Sequence, residues 1–576
     1  MVDHFKSHRM IHHRYIYQIV AKAIDIFEKS ASLSPITVED KCHITHIDNW
    51  RTRVARRHNP CASSSHVTGK ASRRRTVACF YKQDRNFDPP NKARNSIAMK
   101  KIVWITLLCL FVIAEADHVG FDVRHHLSTV TRYSVSKEVS QNLIEGSTIP
   151  SECTPIHLNL VARHGTRSPT KKRLRELENL SGRLKELVRD AKASDKVPGW
   201  LGKWVSPWQG KVKGGELIKQ GEEELYQLGI RVRERFPTLF KEDYHPDVYT
   251  IRATQIPRAS ASAVAFGMGL FSEKGDLGPG RNRAFAVTSE NRASDTKLRF
   301  FECCQNYKSY RKAKGPAVDK LKEPVLDKIT ASVAKRHDLN FTKQDISSLW
   351  FLCKQEASLL NVTNQSCELF TPSEVALLEW ADDLEVFILK GYGNSLNYKM
   401  GVPLLDDVLH SMEEAIKARE DKLPPGSYEK ARLRFAHAET IVPFSCLLGL
   451  FLGGSEYEKI QKEKPLELPP QPPKTRDFKG STMAPFGGNN MLVLYSCPAP
   501  SSPKYFVQVL HNELPIALPG CDGKDFCPLE DFKAKVVTPH LKHAFDNLCN
   551  ANLDDPKQKH QSLWSWLLGS SQKAEL

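Results

Sequence analysis

A short strand that runs straight into a cationic turn constrains this chain more than any other feature. Ile156-His157-Leu158-Asn159-Leu160-Val161-Ala162 reads as a strand, and Arg163-His164-Gly165-Thr166-Arg167-Ser168-Pro169 follows it without a spacer. A strand ending on arginine and histidine puts polar groups where an open α/β sheet places its ligand crevice, at the carboxyl ends of the strands.

The rest of the chain supplies the partners such a sheet requires. Residues 215–236 carry Ile218, Leu225, Leu228, Val232 and Phe236 at helical spacing, and Pro237 stops the run. Residues 248–251 form a second strand pattern, which enters a Pro257-Arg258 turn and a small-residue helix reaching Phe266. The middle is helical in pattern, its clearest element opening on the capping box Thr371-Pro372-Ser373-Glu374 and closing at Gly391. Strand character returns at 433–436, ending on His437, and again at 491–495 and 505–510. The expected fold is therefore α/β, a mostly parallel sheet with flanking helices and an inserted, smaller α-helical lobe. Its core takes residues 117–298 and 429–550, the lobe takes 299–428, and 551–576 form a tail.

The formal charge of +17 suggests a nucleic-acid partner until it is divided along the chain. Residues 1–98 hold 18 Lys and Arg against 8 Asp and Glu, a net +10, which leaves the remainder only mildly basic. The arginine clusters at 51–57 and 73–75 admit a nuclear-localisation reading, but they lack periodicity, and no nucleic-acid partner is expected. At Met99 a basic pair, the apolar run 102–113 and Ala114-Glu115-Ala116 form the three parts of a secretory signal. Translation is accordingly expected to start at Met99, with residues 1–98 an unstructured upstream extension, 99–116 a signal peptide and Asp117 the mature start. No later stretch approaches a membrane span.

Ten of the fourteen cysteines follow the signal, which fits disulfides formed in an oxidising compartment. The close pairs Cys353/Cys367 and Cys521/Cys527 are the leading candidates, and the other pairings stay open. Glycosylation triplets at Asn179, Asn340, Asn361 and Asn364 also follow it. Extracellular space, endoplasmic reticulum and vacuole are all compatible destinations; the final Lys573-Ala574-Glu575-Leu576 is similar to a retrieval tetrapeptide.

Hydrolysis of a phosphomonoester without a metal needs a nucleophile, fixed cations around the non-bridging oxygens and an acid for the leaving alkoxide. Arg163, His164 and Arg167 supply the first two within five residues. Arginine binds phosphate oxygens bidentately and keeps its charge, and the same cations keep a neighbouring imidazole neutral. A lone histidine after a strand is ordinarily structural, but two flanking arginines would then be crowded without purpose.

These residues carry a resemblance. Arg163 to Pro169 resembles the RHGxRxP signature of the histidine acid phosphatases, within the histidine phosphatase superfamily, with every fixed letter present. Gly214-Gly215-Glu216-Leu217, Arg258 with Ser262 and Phe266, and the Cys521 to Cys527 region match further family features in order, so the likeness covers about residues 150–550. It implies a phosphohistidine intermediate at His164, phosphate held by Arg163, Arg167 and Arg258, and His437 beside the substrate. Most members close the set with His-Asp, whereas this chain has His437-Ala438-Glu439, a form similar to the multiple inositol polyphosphate phosphatase branch. The stretch from Phe121-Asp122-Val123-Arg124 to Arg132-Tyr133 has the same plant-type phytase likeness. Glu439 is then the implied proton donor, with Glu513 in reserve, and the substrate a small polyphosphate: inositol hexakisphosphate (phytate), or 2,3-bisphosphoglycerate.

Lys171 and Lys172 follow the signature and are candidates for the substrate's other phosphates, against the plainer reading of a solvated helix start. No cofactor is expected. A zinc site on His164 and His437 lacks carboxylate or thiolate partners at ligand spacing. A non-catalytic phosphate-binding module would explain the arginines but not His164 together with Glu439. Phosphoproteins and sugar phosphates stay open as substrates.

Overall fold

A computed structural model describes residues 121–141, 149–191, 195–211, 213–498 and 504–550. The extension 1–98, the secretory segment 99–116 and the tail 551–576 with its tetrapeptide lie outside the described residues. Seven strands build one mixed sheet: β1 (Thr154–Arg163), β2 (Tyr249–Ala253), β3 (Ala431–Ala436), β4 (Asn489–Ser496), β5 (Tyr505–His511), β6 (Leu514–Pro515) and β7 (Phe526–Pro528). The path runs β2-β3-β1-β4-β5-β6, with β7 also on β5. The core strands β2, β3 and β1 are parallel, and β4 onward is added antiparallel. The helices used below are α1 (Tyr133–Gln141), α2 (Lys171–Asp190), α3 (Lys219–Arg235), α4 (Pro257–Leu270), α5 (Gln305–His337), α6 (Lys343–Gln355), α7 (Pro372–Lys390), α8 (Val402–Glu420) and α9 (Ala438–Leu447).

The period-2 alternation of β1 sorts its side chains between two cores. Leu158, Leu160 and Ala162 join Leu225, Leu228, Phe266 and Leu270 of α3 and α4 on one face. Val161 faces the other core, which continues through α9 into the helices between residues 300 and 420. The capping box at Thr371 is formed, and α7 ends at Lys390 as its Gly391 stop predicts. Helix α3 starts four residues later than the 215–236 pattern suggests, because Gly215 sits at φ +86° and Leu217 bridges Arg167 in extended backbone.

Polar residues on the second face of the sheet are buried as a paired network. Arg434, fully buried on β3, donates to Asn159 Oδ1 at 2.8 Å and pairs with Asp407 of α8. Asp407 also receives Lys297 at 2.7 Å and Arg432 at 3.2 Å. Burial works to raise its carboxyl, but Arg434, Lys297 and Arg432 outweigh it and hold the group below the ordinary carboxylate range. A depressed native pKa stabilises above the unfolded value, roughly pH 4, and that stability is lost as pH falls through the native one. Asp407→Asn leaves buried guanidinium groups short of a counter-charge, an expected loss of about 3–5 kcal/mol. Urea unfolding at pH 7 should show it, and the gap from the unsubstituted protein should narrow in acid; a change below about 1 kcal/mol at pH 7 would refute the network's role.

Four disulfides tie the fold among the described residues. Cys353–Cys367 and Cys521–Cys527 pair as the spacing suggests. The other two join cysteines far apart in sequence: Cys153–Cys497 links the start of β1 to the end of β4, and Cys304–Cys549 links the start of α5 to a C-terminal helix. Cys303 and Cys446 are free thiols among the described residues. Asn179, Asn340, Asn361 and Asn364 are all exposed. Among the described residues no helix is long and apolar enough to cross a membrane.

Candidate active site

Parallel pairing brings three chain segments to one edge. Arg163 pairs with Ala436 and Ala253 with Phe435, so the ends of β1, β3 and β2 lie side by side. Each strand hands over to a functional turn there: His164 after β1, Arg258 in the first turn of α4 after β2, and His437 capping α9 after β3.

The loop after β1 is held from several sides. A Cβ on Gly165 would lie 2.2 Å from the Gly221 carbonyl, and one on Gly221 equally close to that of Thr166, so the loop rests directly on the start of α3. Glu224 of α3 accepts the Thr166 N–H at 2.8 Å and its hydroxyl at 2.7 Å. The Gly165 N–H donates to Ser262 Oγ, and Ser168 Oγ accepts the Gly215 N–H. These contacts give the matched Gly214-Gly215 and Ser262 positions a structural task.

His164 is 3% exposed, and its Nδ1 lies 2.9 Å from the Gly165 carbonyl. A carbonyl only accepts, so Nδ1 carries the proton and the Nε2 lone pair is free. Burial, then the charges of Arg163 and its neighbours, push the imidazole far below its ordinary pKa, so it stays neutral in acid. Arg163 is itself braced, its Nη1 donating to the carbonyls of Thr129 and Ala484. Burial and Arg167 lower Arg163 to about 9 and Arg258 to about 10, and both remain cations at any acid pH. The buried Nε atoms of Arg163, Arg167, Arg258 and Arg299 have no hydrogen-bond partner among the described residues. Unpartnered guanidinium donors of Arg163, Arg167 and Arg258 beside a neutral imidazole have the chemistry to hold an anion.

Two of the cations escaped the sequence reading. Arg299 donates from Nη1 to His437 Nε2 at 3.0 Å, which fixes His437 as an acceptor there with its proton on Nδ1. Thr254 Oγ1 lies 2.9 Å from the same nitrogen. Burial, then Arg258, lowers His437 to about 3. Arg299 stands between Leu298 and Phe300 in an apolar run, and its improbable burial was the one available signal. Lys390, at the end of α7, places Nζ 3.0 Å from Glu439 Oε1. In sequence it reads as an ordinary cation at a helix C-terminus.

Glu439 sits in the first turn of α9, its side chain 30% exposed. Burial works to raise its carboxyl, but Lys390, His437 and its own backbone N–H outweigh that and hold it well below the usual range. The ligand-free protein therefore keeps Glu439 ionised. Glu513, the reserve candidate, is committed elsewhere: it takes Arg231 at 2.8 and 2.9 Å, the Tyr133 hydroxyl at 2.8 Å and Lys137 at 3.3 Å. Lys171 and Lys172 open α2 as exposed side chains, with no ion pair or hydrogen bond to this cluster.

Comparison with known proteins agrees with this geometry. The family model of the histidine phosphatase superfamily (branch 2) matches residues 156–512. The human multiple inositol polyphosphate phosphatase 1 is 27% identical over 430 residues, covering 70% of this chain and 84% of that protein. The phytase of D. castellii shares the fold with a TM-score of 0.56 at 20% identity, over 75% of this chain and 88% of its own. The Bifidobacterium longum multiple inositol polyphosphate phosphatase, solved in complex with inositol hexasulfate, gives 0.53 at 18% identity over 72% and 98%. The family match spans more than half of the chain and contains the histidine, the arginines and the glutamate just described, so the chain belongs to the histidine phosphatase superfamily, branch 2.

Proposed function

We propose that the chain is a phosphomonoesterase that removes phosphate from inositol polyphosphates, phytate foremost. The observation that carries this reading is the locked tautomer of His164 beside Arg163, Arg167 and Arg258, each with an unpartnered buried Nε. His164 Nε2 attacks phosphorus as the bond to the inositol oxygen breaks, and Glu439 gives that oxygen its proton. Water then attacks the phosphohistidine, Glu439 takes a proton from it, and phosphate leaves with His164 neutral again. Arg163, Arg167 and Arg258 hold the three non-bridging oxygens, with Arg299 acting through His437.

Glu439 must be protonated to begin, although Lys390 holds it ionised without substrate. A bound phosphoryl dianion offsets the arginine field and competes for Lys390, both of which raise the carboxyl's pKa. The four disulfides among the described residues fit a secreted or lumenal protein.

A substrate panel at acidic pH with EDTA present tests the reading. Phytate should give the highest kcat/KM, unchanged by the chelator, with 2,3-bisphosphoglycerate, sugar monophosphates and phosphoproteins behind it. Loss of turnover with EDTA, or a sugar monophosphate outrunning phytate, would overturn it.

A further inference from the structure

A cavity of about 240 Å³ opens beside the short turn Val123–His126, between it, the start of α1 and the end of the helix that continues α6. None of the phosphate-cluster residues lines it. The volume is far above the roughly 10–15 Å³ that a single water requires. Its walls include Arg124, His125, Arg132, Ser134, Ser358 and Asn361, with Asp122 as the one acidic group.

Three of these walls carry buried polar atoms without a hydrogen-bond partner: His125 Nδ1, Arg132 Nε and Ser358 Oγ. Ser358 is 1% exposed, so burial of its hydroxyl has no compensation in the protein. Asp122, the single carboxylate, pairs with Arg124 at 2.6 to 2.9 Å and lies 4.0 Å from His125 Nε2, leaving Arg132 without it. Arg124 is also tied by Nη1 to Asn361 Oδ1 at 3.1 Å. Among the described residues Arg132 makes no direct ion pair; it feels the field of Glu224, whose oxygens accept from Thr166. A lining in which Arg124 and Arg132 outnumber the single carboxylate of Asp122, with hydroxyl donors and an imidazole around a small polar cavity, has the chemistry of a phosphoryl-anion site.

We infer that the cavity walled by Arg132, His125 and Ser358 is a second phosphoryl-anion site, separate from the arginine cluster at His164. The anion is either free inorganic phosphate or another phosphate of a polyphosphate substrate seated at His164. The second source rests on the function proposed above; the first does not.

Calorimetric titration of the full chain with inorganic phosphate, with Arg132→Met and Ser358→Val as variants, separates the cases. If the site takes the free ion, the unsubstituted protein binds two phosphates, and each variant loses or weakens one by roughly ten-fold or more. If it takes a substrate phosphate, KM for phytate rises by a similar factor in both variants while KM for p-nitrophenyl phosphate, which has one phosphate, is unchanged. Unaltered phosphate stoichiometry and affinity together with an unaltered KM for phytate, in variants with the parent's melting temperature, would overturn the inference. A chain that binds two phosphates but turns over neither ester would refute the catalytic reading and leave this site standing.

Discussion

His164→Ala should abolish turnover, by roughly 10³–10⁶-fold, while phosphate still binds within about three-fold of the parent affinity. The two readouts part because the residues doing the two jobs are different. Arg163 is braced by the Thr129 and Ala484 carbonyls, and Arg167 by the Ser168 carbonyl, none of which depends on the imidazole. Only the Nε2 lone pair, presented because Nδ1 is spent on Gly165, can form the covalent intermediate. Rapid mixing with labelled phytate and an alkaline quench should leave acid-labile label on His164. Label on a serine or aspartate, or a variant retaining a tenth of the parent rate, would remove the mechanism.

Glu439→Gln should lower phytate turnover by roughly 10²–10⁴-fold and p-nitrophenyl phosphate turnover far less. An inositol alkoxide cannot leave unprotonated, whereas a nitrophenolate can, and glutamine keeps the shape of the side chain while removing its proton. The pH profile gives an independent readout. A proton donor loses activity as pH rises through its pKa in the substrate complex, so Glu439 sets the alkaline limb of kcat for phytate. Lys390 and His437 hold that pKa low in the free protein, which places the optimum on the acid side even after bound phosphate raises it. In the glutamine variant the alkaline limb should flatten. Equal losses on both esters would assign Glu439 to positioning phosphate or water. Glu513 would not inherit the task, since Arg231, Lys137 and Tyr133 already occupy it.

Linear sequence decided whatever is local. The strand into Arg163-His164-Gly165 was legible because alternation and an abrupt polar turn are properties of neighbouring residues, and Thr371 to Gly391 because caps and stops act within one turn. The short-loop disulfides Cys353–Cys367 and Cys521–Cys527 belong to the same class. Tertiary structure decided what depends on register and on distant approach. Parallel pairing of β2, β3 and β1 put Arg258 and His437 beside His164, and the resemblance had supplied that grouping without its cause. Arg299 and Lys390 were illegible because their partners, His437 and Glu439, lie 138 and 49 residues away, and an arginine in an apolar run or a lysine at a helix end does not name its partner. Cys153–Cys497 and Cys304–Cys549 were open for the same reason, as was the protonation of Glu439: a side chain's type is written in the chain, but its pKa is set by which charges the fold brings to it.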